Sequence, residues 1–528
     1  MDANTDHHPT PPRSRTLGDL LDEIAAARGE AEAVVFRGQR LTYVALKRHA
    51  DDLARAMLAT GVRKGDRVAM LLGNRPEWLL GAFAASKVGA ITVGISTFST
   101  PREIAWTVDH ARPSVVITTD AFRGRNYVDT VAELAPQLPE LRAVVSADRL
   151  DAFLARGAAV SDAELAAAQV LVTGADPCYI LYTSGSTATP KGVVLNQGGV
   201  VENGFAIGER QHLGPADRLW LAVPLFWSFG SANALPAILT HGGTIVLQES
   251  FEAGEALTLL DEERCTVYYG MANMARAIRE HPDRPGRRLA AMRTGLTIGL
   301  PEDIAMTMDA VGARELCNVY GSTETYGNCA VTDAHDSLDL RLTTQGRPLP
   351  GMDIRVVDPE SGRVLPPGEV GELRIKGYVT PGYYREMEQT TAAFDAGGYF
   401  KSGDLGLVGA DGRVRFRGRL KEMIKTGGIN VAPLEVEAVL LSHPAVKQAY
   451  VVGIPDRVKD EVVVAAIELH EGATATAEAL IAHCRASLAS YKVPARIVFR
   501  QDAELPRTST GKIQKPRLKD ELAREGST

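Results

Sequence analysis

From about Leu17 onward the chain alternates stretches with apolar residues at helical spacing and short β-branched runs. No other feature restricts its fold as strongly. "LGDLLDEIAAARG" has a helical pattern, and "RLTYVALKRHADDLARAMLATG" opens as a short strand or turn before an amphipathic helix that ends at Gly61. "DRVAMLLGN" reads as a buried strand, and "PEWLLGAFAASKVG" as a helix starting at a proline. "AITVGIS", "SVVITTD", "AVVSA" and "GTIVLQE" are further short β-branched runs between helical stretches. This order predicts an α/β protein with mainly parallel sheets. After about Gly346 the texture changes. "GMDIRVVDPESGRVLPPGEVGELRIKG" is rich in strands and turns, which predicts a β subdomain. The last hundred or so residues alternate strand and helix again. The expected organisation is a disordered lead over 1–16, a large N-terminal domain over 17–418 with a β subdomain at 346–418, and a small α+β domain over 419–528. The link near Gly418–Leu420 is too short for a tether and is expected to be a hinge.

The length of 528 residues requires more than one domain. Hydrophobic residues at 45% and charged residues at 23% are ordinary for a globular protein with a large core. The net charge of −7 is spread along the chain with no basic block, which excludes a nucleic-acid partner. Five scattered cysteines form no CxxC pair, so neither a zinc site nor a disulfide framework is expected, and a cytoplasmic location fits. The N-terminal "MDANTDHHPTPPRSR" lacks the apolar core of a secretory signal. "LLGAFAASKVGAITVGI" approaches the roughly 18 apolar residues of a membrane span, but Lys87 and its glycines break it. It reads as a buried helix running into a strand.

"YTSGSTATPKG", residues 182–192, sets hydroxyls and glycines before a lysine, between the strand-like "CYILY" and "GVVLN". It is not a Walker loop, because a strand rather than a helix follows. Its glycines let backbone N–H groups approach anionic oxygens, its Ser and Thr hydroxyls add neutral donors, and Lys191 adds charge. A flexible Ser/Gly hairpin is the ordinary alternative. Four later segments complete a pattern. "VYGSTET" offers Tyr320, a ring that can stack on a purine, and Glu324, a carboxylate that can hold Mg²⁺. "GYFKSGDLG" sets Asp404 among glycines, where it can accept ribose hydroxyls. "GRLKEMIK" supplies Arg419, Lys421 and Lys425, and "PRTSTGKIQK" puts Lys512 on a turn. Singly, each is explained by a surface turn or a solvated charge; all in this order would be an improbable coincidence.

On these motifs, together with "GELRIKG", "GGINVAPLEVE" and "YKVP", the chain resembles the adenylate-forming superfamily of acyl- and aryl-CoA synthetases, luciferases and peptide-synthetase adenylation domains. The resemblance runs from about residue 17 to 522. It implies a large N-terminal domain of two sheets plus a β subdomain, and a small mobile C-terminal domain. It also implies two half-reactions: a carboxylate attacks the α-phosphate of MgATP to give acyl-AMP and pyrophosphate, and a thiol then attacks the acyl-AMP. Positioning and charge stabilisation supply the catalysis.

The resemblance assigns roles to individual residues. Thr183, Ser184, Gly185, Ser186, Thr187 and Lys191 cradle the β- and γ-phosphates. Glu324 binds Mg²⁺ with Thr187 nearby. Tyr320, with Gly321 and Thr323 in its turn, and the stretch Gly295 to Gly299 flank adenine. Asp404 and Arg419 hold the ribose, and Lys512 bridges the α-phosphate and the substrate carboxylate. Lys421 is the hinge. Lys425 and the thiol-tunnel glycines Gly427 and Gly428 form the face used for thioester formation. The acyl pocket is lined by Trp227, Ser228, Asn233, Tyr269, Gly270, Met271, Thr325 and Tyr326. ATP, Mg²⁺ and coenzyme A, or a carrier protein's phosphopantetheine, are the implied cofactors.

Two positions depart from the family pattern. Ala188 replaces a glycine, and Trp227, in "PLFWSFG", replaces a histidine. Trp227 reads either as a pocket wall or as a packing residue. The mixed aromatic and small polar pocket favours an aromatic or medium-length acid. Two relatives of this reading stay open: a stand-alone enzyme that loads an acyl carrier protein, and one that activates another oxyanion such as nitrite. A catalytically inactive scaffold is a third class, opposed by the intact Glu324, Asp404, Arg419 and Lys512. Monomer and homodimer are both compatible with the sequence.

Overall fold

The computed structural model describes residues 11–183, 190–426, 429–456, 459–508 and 512–525. Two compact units are drawn from residues 1–353 with 375–400, and from 354–374 with 401–528.

The first unit holds two large sheets among its described residues. The six-stranded sheet runs in the order Ala143–Ser146, Val115–Thr118, Arg67–Met70, Ile91–Gly94, Pro177–Thr183, Lys191–Asn196. Its first five strands are parallel, and the last closes an antiparallel hairpin. In the nine-stranded sheet, six central strands are parallel, from Glu315–Tyr320 through Thr294–Thr297, Val267–Tyr269, Arg218–Leu221 and Thr244–Leu247 to Glu32–Phe36. Antiparallel strands finish both edges. The predicted α/β class with two mainly parallel sheets is what is found. Ile91–Gly94, Val115–Thr118 and Thr244–Leu247 are buried along their whole length, which is why they read as continuous apolar runs.

The helix Pro76–Lys87 is buried on nearly every side. A helix with no solvated face carries apolar residues all round, and this one includes the fully buried Trp78 and Phe83. Lys87 at its end is 1% exposed, yet it is not a break in the structure. Its ammonium lies 2.6 Å from Asp22 and 2.8 Å from Asp51, carboxylates carried by the helices Leu17–Arg28 and Tyr43–Ala59. Burial alone would raise the Asp22 pKa, but the Lys87 hydrogen bond and charge, with Gln169 and Lys47, hold it below the usual aspartate value. Just before the first helix the Ser14 hydroxyl donates to Glu23 at 2.6 Å, and Thr16 caps the helix.

The second unit carries most of a four-stranded sheet in the order Asp353–Val357, Gly371–Lys376, Phe400–Val408, Val414–Arg419. It also carries a five-stranded sheet built on the long antiparallel pair Val446–Asp456 and Asp460–Leu469. Helices Pro433–Leu441 and Ala477–Ser487 supply Val436, Leu440, Leu480 and Cys484 to the apolar core on that sheet. No described helix is long and apolar enough to cross a membrane. The five cysteines are buried, and none forms a disulfide among the described residues.

Candidate active site

In the first unit, Thr183 and Lys191 are the paired end positions of the antiparallel hairpin. Ser184, Gly185, Ser186, Thr187 and Ala188 lie outside the described residues, as do Gly427 and Gly428. The strand leading in is fixed from the side: the Tyr182 hydroxyl lies 2.7 Å from His110 Nδ1. Residues 380–384 dock along the other strand. The Val194 amide donates to the Gly382 carbonyl at 3.2 Å, the Tyr384 amide to that of Gly192 at 2.8 Å, and the Thr380 hydroxyl to that of Val194 at 2.7 Å.

Glu324 sits on a short turn, Thr323–Thr325, reached from the strand Glu315–Tyr320. Its main-chain carbonyl accepts from the Thr380 amide at 2.6 Å, and its carboxylate Oε1 accepts from the Tyr383 hydroxyl at 3.0 Å. The Tyr383 ring also lies under the Lys191 ammonium, 4.9 Å from ring centre to nitrogen. Lys191, Tyr383 and Glu324 therefore form one connected group. Burial, and then the neighbouring carboxylate, raise the Tyr383 pKa, so its hydroxyl stays a donor. Thr323 Oγ1 is 3.1 Å from Ser228 Oγ. The donor set of one carboxylate with hydroxyls beside it suits Mg²⁺, which keeps several waters and binds through one or two carboxylates plus substrate phosphates.

Tyr320 is buried, and Gly321 follows because a Cβ there would meet the Gly327 carbonyl oxygen at 2.4 Å. Gly295 is required by packing: at φ 152° its Cβ would lie 2.0 Å from the Tyr268 carbonyl oxygen. The end of this strand leaves Ile298 exposed.

The expected pocket residues divide into groups. Trp227 packs against Phe98 and Phe226, with ring centroids 6.1 and 5.9 Å away, and Ser228 follows it toward Thr323. A π-helix, Phe229–Ala234, begins at once; such wide turns are frequent at functional sites. Asn233 on this turn accepts from the Tyr269 hydroxyl at 3.1 Å, and Tyr269 in turn accepts from Gln211. Gly270 has no room for a Cβ beside the Tyr268 ring, whose hydroxyl bonds the Met271 carbonyl. Thr325 is spent within its own turn, bonding to Ser322. Tyr326 turns away at φ 59° and accepts from the Asn196 amide at 2.9 Å. Phe98, Phe229 and Tyr383 were not singled out from the sequence. Phe229 lies within "PLFWSFG", whereas Phe98 and Tyr383 have no local signal.

Another group of ligating atoms, His212, Asp333 and His335, lies within 4.8 Å. Its two rings stack face to face at 3.9 Å, so their in-plane lone pairs do not converge on one ion.

In the second unit, Asp404 and Arg419 occupy directly paired positions of the strands Phe400–Val408 and Val414–Arg419. Arg419 Nε is 2.8 Å from Asp404 Oδ1. Gly403 adopts φ 68°, a left-handed conformation that glycine takes without strain. A cleft of about 400 Å³ is lined by Arg419 and Lys512, with Arg507, Lys515, Glu437 and Tyr450. Burial in these surroundings, and then the like charge of Arg419, lower the Lys512 pKa below that of an ordinary lysine. The Lys512 side chain keeps contact with solvent, which screens the shift. Lys515 is paired with Glu437 and Glu422 at 2.8 and 3.2 Å. Lys421 lies on the short turn Leu420–Glu422, and Lys425 on the separate strand Ile424–Thr426, whose amide donates to Glu461.

The chain and its fold match known proteins. A family model described as AMP-binding enzyme matches residues 21–384, and one for the AMP-binding enzyme C-terminal domain matches residues 435–512. The chain is 33% identical to the acyl-CoA ligase sidI of Aspergillus fumigatus, over 96% of this chain and 90% of that one. It is 31% identical to the mitochondrial medium-chain acyl-CoA ligase ACSF2 of Danio rerio, over 98% and 89%. Its fold is similar to the anthranilate CoA ligase AuaEII in complex with anthranoyl-AMP, with a TM-score of 0.86, 25% identity and coverage of 98% and 99%.

Proposed function

The chain belongs to the AMP-binding enzyme family, as an ATP-dependent, AMP-forming acid–thiol ligase, and from that premise we propose how its residues divide the work and which acid they take. The reaction joins a carboxylic acid to AMP with loss of pyrophosphate, then passes the acyl group to the thiol of CoA with loss of AMP. One observation carries the assignment of the first step: Lys512 and Arg419 line one cleft, with Asp404 ion-paired to Arg419. Two cations and a buried carboxylate suit a nucleotide's phosphate and ribose.

Lys512 neutralises charge between the α-phosphate and the attacking carboxylate. Asp404 and Arg419 hold the ribose. In the first unit, Lys191 meets the phosphates that leave, and Glu324 would hold Mg²⁺, which supplies charge neutralisation there. Tyr320 and the stretch Gly295 to Gly299 hold adenine. Lys421 is the pivot, and Lys425 serves the thioester step.

The acid is aromatic or of medium length, with a single carboxylate. The wall that Trp227 builds with Phe98 and Phe226 supports this, as do the medium-chain and anthranilate ligases among the similar proteins. Product analysis with CoA and with a phosphopantetheinyl carrier protein as rival acceptors tests the thiol. Acyl-CoA formation supports this reading. Turnover with the carrier alone overturns the CoA assignment.

A further inference from the structure

We propose that Tyr383 is a positioning residue that joins the two charged groups of the phosphate end, carrying the Lys191 ammonium on its ring and orienting the Glu324 carboxylate through its hydroxyl. The proposal rests on the reading of Lys191 and Glu324 given above. The ring-to-ammonium distance of 4.9 Å is within the range of a cation–π contact, and the hydroxyl lies 3.0 Å from Glu324 Oε1. One rigid side chain with two rotatable bonds thus touches both groups, which come from segments 133 positions apart in the chain (324 − 191).

The tyrosine is itself held. Its amide donates to Thr390 Oγ1 at 2.9 Å, and its backbone bridges to Val193, two residues beyond Lys191. Thr380, in the same segment, fixes the backbone of the Glu324 turn and of the hairpin strand together. The ring packs against the main core. A hydrogen bond to one carboxylate oxygen limits rotation of the group and leaves the other oxygen for a ligand. Partners of this kind orient a metal-binding carboxylate, and their loss typically weakens metal affinity about tenfold or more.

Two variants separate the contacts. Tyr383→Phe keeps the ring under Lys191 and removes the hydroxyl, whereas Tyr383→Leu removes both. Calorimetric binding of ATP to the full-length protein, without metal and across a Mg²⁺ titration, needs no turnover. Tyr383→Phe is expected to leave metal-free ATP binding unchanged and to raise the Mg²⁺ midpoint about tenfold. Tyr383→Leu is expected to weaken metal-free binding as well. An unchanged midpoint in Tyr383→Phe, or equal losses in both variants under both conditions, overturns the proposal. Glu324→Gln serves as the control. If it retains the wild-type Mg²⁺ response, or if the wild type binds no MgATP, the underlying assignment of Glu324 fails instead.

Discussion

Arg419 Nε lies 2.8 Å from Asp404 Oδ1 across directly paired positions of two antiparallel strands, with Asp404 almost wholly buried and Arg419 half exposed. The buried carboxylate depends on this partner, and the exposed guanidinium keeps donors for a ligand. Arg419→Ala is therefore expected to raise the KM for ATP by about 10–100-fold, the range of a lost charge-assisted hydrogen bond. The KM for the acid should change little. Initial rates with each substrate varied in turn check the split.

Lys512 separates the two half-reactions. Lys512→Ala is expected to lose adenylation and retain thioester formation from supplied acyl-AMP. Equal loss of both steps would contradict its assigned role. The pH dependence has a definite sign. The ammonium form does the work and its pKa is lowered, so adenylation falls as pH rises through a value below the ordinary lysine 10.5. Lys512→Arg is expected to remove that alkaline limb, since guanidinium stays charged. Pyrophosphate-exchange rates against pH record both profiles.

The buried Lys87 predicts a stability effect. Lys87→Ala leaves the nearly buried Asp51 and the partly exposed Asp22 with Lys47 as their remaining cation, so the expected loss is real but smaller than the about 3–5 kcal/mol of a fully uncompensated buried charge. Thermal or denaturant unfolding measures it. Because the Asp22 pKa is lower in the folded protein than its ordinary 3.8, the unfolded chain binds more protons in that range. The wild type gains this stabilisation above that value and loses it as pH falls through the lower, folded value. The Lys87 variant should show a shallower acid loss from this group.

Gly295 carries a sharper steric constraint. A Cβ at 2.0 Å from the Tyr268 carbonyl oxygen cannot be accommodated without moving backbone between two central strands. Gly295→Ala is expected to cost about 1–3 kcal/mol or more and to weaken ATP binding with it. A variant with wild-type melting temperature and ATP affinity would contradict this.

Much of the fold was legible because its signals are local. The runs "CYILY" and "GVVLN" became the hairpin strands flanking the loop between Thr183 and Lys191, and the helix at Pro76 begins where the proline placed it. Asp404 and Arg419 could be named from their motifs, but their strand pairing could not. Lys87 read as an interruption because its carboxylate partners belong to two other helices. Tyr383 was missed for the same reason. Nothing in "PGYYRE" announces that this segment docks on the strand Lys191–Asn196 and meets a turn near residue 324. The π-helix after Trp227 likewise has no spacing signature within "FGSANA".

Pyrophosphate–ATP exchange across a panel of carboxylic acids tests the central claim most directly, because it reads acyl-adenylate formation without requiring the thiol step. Exchange that depends on an aromatic or medium-length monocarboxylic acid, and is lost in Lys512→Ala, is the predicted result. ATP binding without exchange for any carboxylic acid would contradict the account.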